Sequence, residues 1–187
     1  MESKKLKKGS KLLSYVLRHA PEVIGLTLDT QGWALVSDIV KLTERGNTKL
    51  TRQMIEYIVA NNDKQRFSFD DSGKKIRANQ GHSITVDLGL EAQVPPEVLY
   101  HGTASHHLRH ILKDGLAKKN RHHVHLTKDD TTATVVGQRH GKVVILKVDS
   151  LAMYNDGYLF YVSSNGVWLT DHVPTEFIEV VSQSNTI

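Results

Sequence analysis

The 187-residue chain contains no cysteine. That one absence excludes disulfide staples, thiolate metal sites and thiol nucleophiles together, and it fits a cytoplasmic protein. No apolar run reaches membrane-spanning length, and no apolar h-region follows the lysine-rich start, so neither a membrane span nor a secretory leader is expected. The Gly-rich phosphate loop of nucleotide hydrolases, the dinucleotide GxGxxG fingerprint and the Gly-x-Ser-x-Gly elbow are also missing. Internal repeats and low-complexity tracts are absent as well.

What is present is an ordinary globular composition, 39% hydrophobic and 24% charged, long enough for one substantial core or two small ones. A chain of this size is expected to be a monomer. The net charge of +4 suits a polyanionic partner, though a mildly basic soluble surface would give the same number. Histidine narrows the choice. There are eleven, and six fall between His101 and His123.

In chain order, Lys4, Lys5, Lys7, Lys8 and Lys11 read as a basic lead-in, either a solvated arm or a phosphate-backbone contact. A helix capped by Ser10 carries Leu13, Val16 and Leu17 on one face, and Pro21 ends it near His19. Arg18 and His19 then lie in its last turn, where cations are favoured. A second helix is expected from Ser37 to Gly46 and a third from a Thr51 cap through Val59. An alternating strand from Lys64 to Phe69, a turn at Asp70–Gly73 and a return strand to Ala78 make a hairpin. Phe67 and Phe69 face its core, with Arg66 and Ser68 opposite. Three helices followed by a hairpin describe a winged-helix-like module, in which basic residues commonly meet nucleic acid. A short strand at Ile84–Val86 closes this lobe.

Beyond Gly89 the pattern becomes β-rich. Val98–Gly102 reads as strand and tight turn, followed by a helix that Gly115 terminates. His122–Leu126 is a strand, and Thr127–Asp130 resembles a capping box opening a helix through Val136. Val143–Val148 is a buried-type strand. Tyr158–Val162 and Val167–Leu169 form a hairpin through Asn165-Gly166, and Phe177–Val181 is the last strand. The domain reading is 1–88 for an RNA-facing lobe, 89–97 for a linker and 98–187 for the β-rich lobe, giving an α+β chain.

Alternation places His123 and His125 on one strand face, a zinc-like arrangement, but no carboxylate third ligand is evident and no metal is expected. The helix N-terminus after Gly102 could receive an anion. Arg18, Arg66, Arg121 and Arg139 sit at element ends beside glycines or histidines. Arginine binds phosphate bidentately and histidine moves protons near neutrality. The pattern therefore points to phosphate handling, and spacing alone does not supply the reaction.

A set of motifs in order narrows this: Leu17-Arg18-His19-x-Pro21, Gly32-Trp33, Lys64-Gln65-Arg66-Phe67, Ile76-Arg77-Ala78-x-Gln80-Gly81-His82-Ser83, Leu99-Tyr100-His101-Gly102-Thr103, Arg121-x-His123-Val124-His125-Leu126, Val136-Gly137-x-Arg139-His140-Gly141 and Ser164-Asn165-Gly166-Val167-Trp168-Leu169-Thr170. Together they closely resemble the NAD-dependent RNA 2′-phosphotransferase family, over nearly the whole chain. The resemblance implies a winged-helix-like RNA lobe and an ADP-ribosyltransferase-like lobe that holds NAD as co-substrate. It implies removal of an internal 2′-phosphate from a tRNA-like RNA through an ADP-ribosylated intermediate. The products would be 2′-hydroxyl RNA, nicotinamide and ADP-ribose 1″,2″-cyclic phosphate. The family's Arg-His-Arg-Arg set falls on Arg18, His19, Arg66 and Arg121. His101, Gly102 and Thr103 match the first element of the transferase signature, His125 the second, and Val167 the third, where protein-modifying relatives often carry glutamate. Arg139 is the candidate for the NAD pyrophosphate. The competing readings are a nucleic-acid phosphate ADP-ribosyltransferase and a non-catalytic RNA-binding protein.

Overall fold

The computed structural model describes residues 2–183 as a mixed α and β chain in two compact units that divide between Gly89 and Leu90.

In the first unit, helix α1 (Glu2–Arg18) begins earlier than the Ser10 cap suggested and takes in the lysine-rich lead-in. The reason lies at Gly9. It is buried, and a Cβ there would lie 2.9 Å from Leu50 Cδ2 and 3.2 Å from Ile58 Cδ1, so the missing side chain lets α1 seat against the rest of the unit. The lysines around it stay exposed. Pro21 drives Ala20 to φ −148° and stops the helix at Arg18. After a 3-10 turn at Pro21–Ile24 comes β1 (Ala34–Leu35), then α2 (Val36–Thr43) and α3 (Arg52–Ala60). The Thr51 side chain accepts from Met54 N at 3.2 Å, the expected N-cap.

Strands β2 (Phe67–Phe69) and β3 (Lys75–Ala78) form the hairpin, with Phe67 opposite Ala78 and Phe69 opposite Ile76. The sheet order is β1-β3-β2, all antiparallel. Strand β2 starts later than Lys64. The Asn62 side chain accepts from Lys64 N at 3.1 Å, and Gln65 adopts φ 42°, which breaks the extended run before Arg66. The Ile84–Val86 segment is not a strand; Asp87 N bonds to Thr30 O instead. Leu13, Val16, Leu17, Ile39, Leu50, Ile55, Phe67 and Ile76 make the core.

The second unit opens with residues 90–97, read above as linker. Here they bond within this unit: Gln93 N donates to Phe160 O at 2.8 Å, and Ser150 Oγ donates to Pro96 O at 2.7 Å. Strand β4 (Val98–Ala104) runs straight through Gly102, where the sequence suggested a tight turn. Next come α4 (Ser105–Asp114), β5 (Leu116–Ala117), β6 (Val124–Leu126) and α5 (Asp130–Gly137). A 3-10 turn at Gln138–His140 leads to β7 (Val143–Asp149) and α6 (Ser150–Asn155). The chain then forms β8 (Phe160–Val162), β9 (Trp168–Thr170), β10 (His172–Val173) and β11 (Ile178–Gln183). One sheet has the order β11-β7-β4 and a second β6-β9-β8, while β5 pairs with β10. A bridge between Tyr100 and Thr127, closed by backbone bonds of 2.8 and 2.9 Å, links the two larger sheets. That use of Thr127 moves the cap of α5 to Asp129, whose carboxylate accepts from Thr132 N at 2.6 Å. The second core gathers Leu99, Leu126, Leu146, Val148, Met153, Phe160 and Trp168.

Candidate functional site

Two clusters emerge, one in each unit. In the first, Arg18 and His19 leave the end of α1 together, and both are held by Ser83. The Ser83 backbone N donates to Arg18 O at 2.9 Å, and its Oγ lies 2.8 Å from His19 Nδ1. Ser83 closes the Ile76–Ser83 motif but carries no assigned role there; it sits 64 positions from His19, and no local pattern signals that contact. The Arg18 guanidinium stands 6.0 Å from the centre of the Phe67 ring, against the strand that begins immediately after Arg66. Arg66 is half-buried, and its Nη1 donates to Asn62 Oδ1 at 3.3 Å. The same Asn62 that shapes the turn thus also orients the arginine. This unit therefore presents two guanidinium groups and an imidazole on fixed supports, a set suited to a phosphate.

The second cluster centres on β6. Arg121 Nη1 donates to His125 Nδ1 at 3.0 Å; because arginine stays protonated, His125 Nδ1 is the acceptor. The loop that carries Arg121 is a turn with Arg121 N bonded to Lys118 O at 3.0 Å and Lys119 at φ 52°. An exposed Lys118–Asp171 pair at 2.9 Å tethers its start. One strand over, His101 Nδ1 lies 2.9 Å from the His125 carbonyl oxygen. A carbonyl only accepts, so the His101 proton resides on Nδ1 and Nε2 presents a lone pair. Burial of the ring pushes the His101 pKa below its ordinary 6.5, the carbonyl contact opposes this, and the nearby Arg121 charge adds to it. His101 is thus a neutral acceptor at neutral pH.

Gly102 serves close approach. A Cβ on it would run into the Ala133 carbonyl, with Ala133 C 2.6 Å away and Gly137 N 3.1 Å away. Gly137 is the matching gap on α5, with Gly102 C and Thr103 N 3.0 and 3.1 Å from where its Cβ would be. Helix α5 therefore lies with its backbone against β4, directly behind His101. Thr103 is buried in the same strand. Val167 is half-buried at the β8–β9 turn, its backbone N donating to the Ser163 hydroxyl oxygen at 3.1 Å. Arg139 is exposed on the 3-10 turn after α5. The hydrogen bonds described above for the Arg121–His125–His101 group do not include Arg139 or Val167.

The histidine strand is shorter than expected. It begins at Val124, so His123 lies outside it, with its ring 5.5 Å from the Tyr161 ring and its pKa lowered chiefly by burial. Among the described residues no three acidic or histidine side chains group as a metal site. The N-terminus of α4 spends its first amide on the Lys142 carbonyl at 2.8 Å, leaving a weaker anion site than the sequence suggested.

Residues 4–172 match the model of a family described as RNA 2′-phosphotransferase, Tpt1 / KptA family. The chain is 51% identical over 182 residues to a probable RNA 2′-phosphotransferase of Trichormus variabilis, covering 97% of this chain and all of that one. It is 53% identical over 174 residues to a protein of the same description in Flavobacterium johnsoniae, covering 92% and 95%. A third, from Agrobacterium fabrum, is 51% identical over 176 residues, covering 94% and 95%.

Proposed function

We propose that this chain, which belongs to the RNA 2′-phosphotransferase family of enzymes, removes an internal RNA 2′-phosphate by transferring it to NAD as a consumed co-substrate. A 2′-phosphate oxygen bonds to C1″ of the nicotinamide ribose as the bond to nicotinamide breaks, and nicotinamide departs with that electron pair. The ribose 2″-hydroxyl then bonds to phosphorus. The RNA 2′-oxygen leaves and takes up a proton, and ADP-ribose 1″,2″-cyclic phosphate is released. Both nucleophiles belong to the substrates. The protein's task is to position them and offset charge.

The observation that carries this reading is the hydrogen-bonded run from Arg121 through His125 to His101. It sets a permanent cation beside His125 and leaves the neutral His101 with an Nε2 lone pair, an acceptor suited to a ribose hydroxyl. In this reading His101, Gly102 and Thr103 line the nicotinamide ribose side, with His125 beside them and Arg139 on the pyrophosphate. An apolar Val167 in place of a glutamate fits a nucleophile that is already an anion and needs no base. Arg18, Arg66 and Arg121 bind the 2′-phosphate and its growing charge, and His19 moves the proton of the second step. Three helices with a β1-β3-β2 sheet, whose β2–β3 hairpin follows α3, support a winged-helix-like reading of the first unit. The two small antiparallel sheets linked at Tyr100 support an ADP-ribosyltransferase-like reading of the second.

The test incubates the protein with NAD and an oligoribonucleotide bearing one internal 2′-phosphate. Loss of phosphate with formation of the cyclic product is expected. A stable ADP-ribosyl adduct would instead favour nucleic-acid phosphate ADP-ribosylation, and no NAD consumption would leave RNA binding alone. Equal phosphate loss without NAD would refute the reaction.

A further inference from the structure

A groove of about 290 Å³ opens between α1 and the end of α3 in the first unit. Its floor is apolar, from Leu6 and the buried Ile58, and exists because Gly9 lets α1 approach Ile58. Its walls are polar. Lys7 and Ser10 line it from α1, Tyr57 and Asn61 from α3, and Asn62, Lys64 and Arg66 from the loop that follows. The volume is at the small end of ligand pockets, which run from about 300 Å³ upward, so it holds one nucleotide and no duplex.

The charges around it discriminate between ligands. Two features disfavour a bare anion: Asp63 on the rim, and the C-terminal end of α3, which carries partial negative charge. Asn61 covers part of that end, donating both its backbone N and its Nδ2 to the Tyr57 carbonyl at 2.9 Å each. What remains suits a nucleotide whose phosphate lies toward Lys7 and Lys64. Its base would meet the face of Tyr57, which is 53% exposed although its ring is large and apolar. Amide and hydroxyl side chains pair with sugar and phosphate oxygens, and an aromatic face stacks any base without reading it.

We propose that this groove binds the unpaired nucleotide next to the 2′-phosphorylated one, as a flanking-RNA subsite that begins at Arg66. The inference rests on the assignment of Arg66 to the 2′-phosphate. The subsite makes the enzyme prefer RNA that is single-stranded beside the modified nucleotide, with little dependence on base identity.

The test compares two substrates, a 2′-phosphorylated dinucleotide and a hexanucleotide with the 2′-phosphate in the middle, against wild type, Lys7→Glu and Tyr57→Ala. Both substitutions fall on exposed positions outside the residues assigned to chemistry. For wild type, the hexanucleotide is expected to have the lower KM. Tyr57→Ala raises that KM about tenfold, the scale of one lost base–aromatic stack, and leaves kcat unchanged. Lys7→Glu raises it too and lowers the steepness of the salt dependence by about 0.7 in log–log slope, the value for one single-strand phosphate contact. Hexanucleotide binding followed by fluorescence anisotropy without NAD must fall in parallel. Equal KM values for both substrates in wild type, or unchanged hexanucleotide binding in both variants, would overturn the subsite and leave the reaction standing. Failure of wild type to dephosphorylate either substrate would overturn the reaction, and anisotropy would then judge the groove by itself.

Discussion

Replacing Gly102 with alanine tests whether the glycine beside His101 serves a turn or a contact. The added Cβ would lie 2.6 Å from Ala133 C, against an ordinary carbon–carbon contact near 3.4 Å, and closer still to the Ala133 oxygen. All the atoms it meets are backbone, so no rotamer change relieves the clash and α5 must retreat from β4 by about 1 Å. Overpacking of this kind costs about 1–3 kcal/mol when side chains can adjust. With backbone on both sides the loss should reach about 3 kcal/mol. The same displacement disturbs the strand that carries His101, and a misplacement of about 1 Å lowers activity roughly a hundredfold. The control is Gly46→Ala. Its Cβ would meet only Thr43 O at 3.6 Å, and its φ lies outside the positive range, so no loss of stability is expected. Urea unfolding of both variants, with phosphate-transfer rates at saturating NAD and RNA, gives the comparison. A Gly102→Ala protein within about 0.5 kcal/mol of wild type would refute the close-packing argument.

Ser83→Ala removes the contact that fixes His19 Nδ1; losing one neutral hydrogen bond worth about 1 kcal/mol predicts a fall of about fivefold in kcat, restored by Ser83→Thr, and an unaltered rate in Ser83→Ala would remove Ser83 from the site. Arg18→Ala and His19→Ala should each slow the second step by about a hundredfold to a thousandfold, so that ADP-ribosylated RNA accumulates in a quench time course; equal slowing of both steps, with no adduct, would reverse the assignment. His101 provides a pH test. Its folded pKa lies below the ordinary 6.5, so its stabilisation is complete above pH 6.5. As pH falls below that value, the unfolded chain takes up a proton that the folded chain refuses, and stability drops until the folded pKa is reached. Urea midpoints at pH 7.5 and 5.5 should therefore differ less in His101→Asn than in wild type. Part of the slope persists because His123 is shifted the same way, and an identical slope would show that His101 titrates normally.

The parts of the fold that the sequence displayed are those decided locally. The β2–β3 hairpin follows from alternation around Asp70–Gly73, the α3 start from Thr51, and the end of α1 from Pro21. The parts that stayed hidden are decided by a distant partner. Gly9 lies without a role in the basic lead-in until Leu50 and Ile58 arrive, and Gly102 reads as a turn until α5 arrives. Strands of two residues, such as β5 against β10, are too short for any periodicity to show. Helix α6 did carry a signal, since Asp149 caps it by accepting from Ala152 N at 3.1 Å, but a buried-type strand runs directly into that cap and masked it. The site divides along the same line. Arginine and histidine at element ends mark a phosphate-handling surface from residue chemistry alone, and their individual roles came from the resemblance of ordered motifs. What neither source supplied are the second members of each pair: Ser83 behind His19, Asn62 behind Arg66, and the His125 carbonyl behind His101. The His125 carbonyl sets the His101 tautomer, and Ser83 and Asn62 orient His19 and Arg66. Substituting Ser83 should change rate more than affinity, whereas substituting Arg18 or Arg66 should weaken phosphate binding as well.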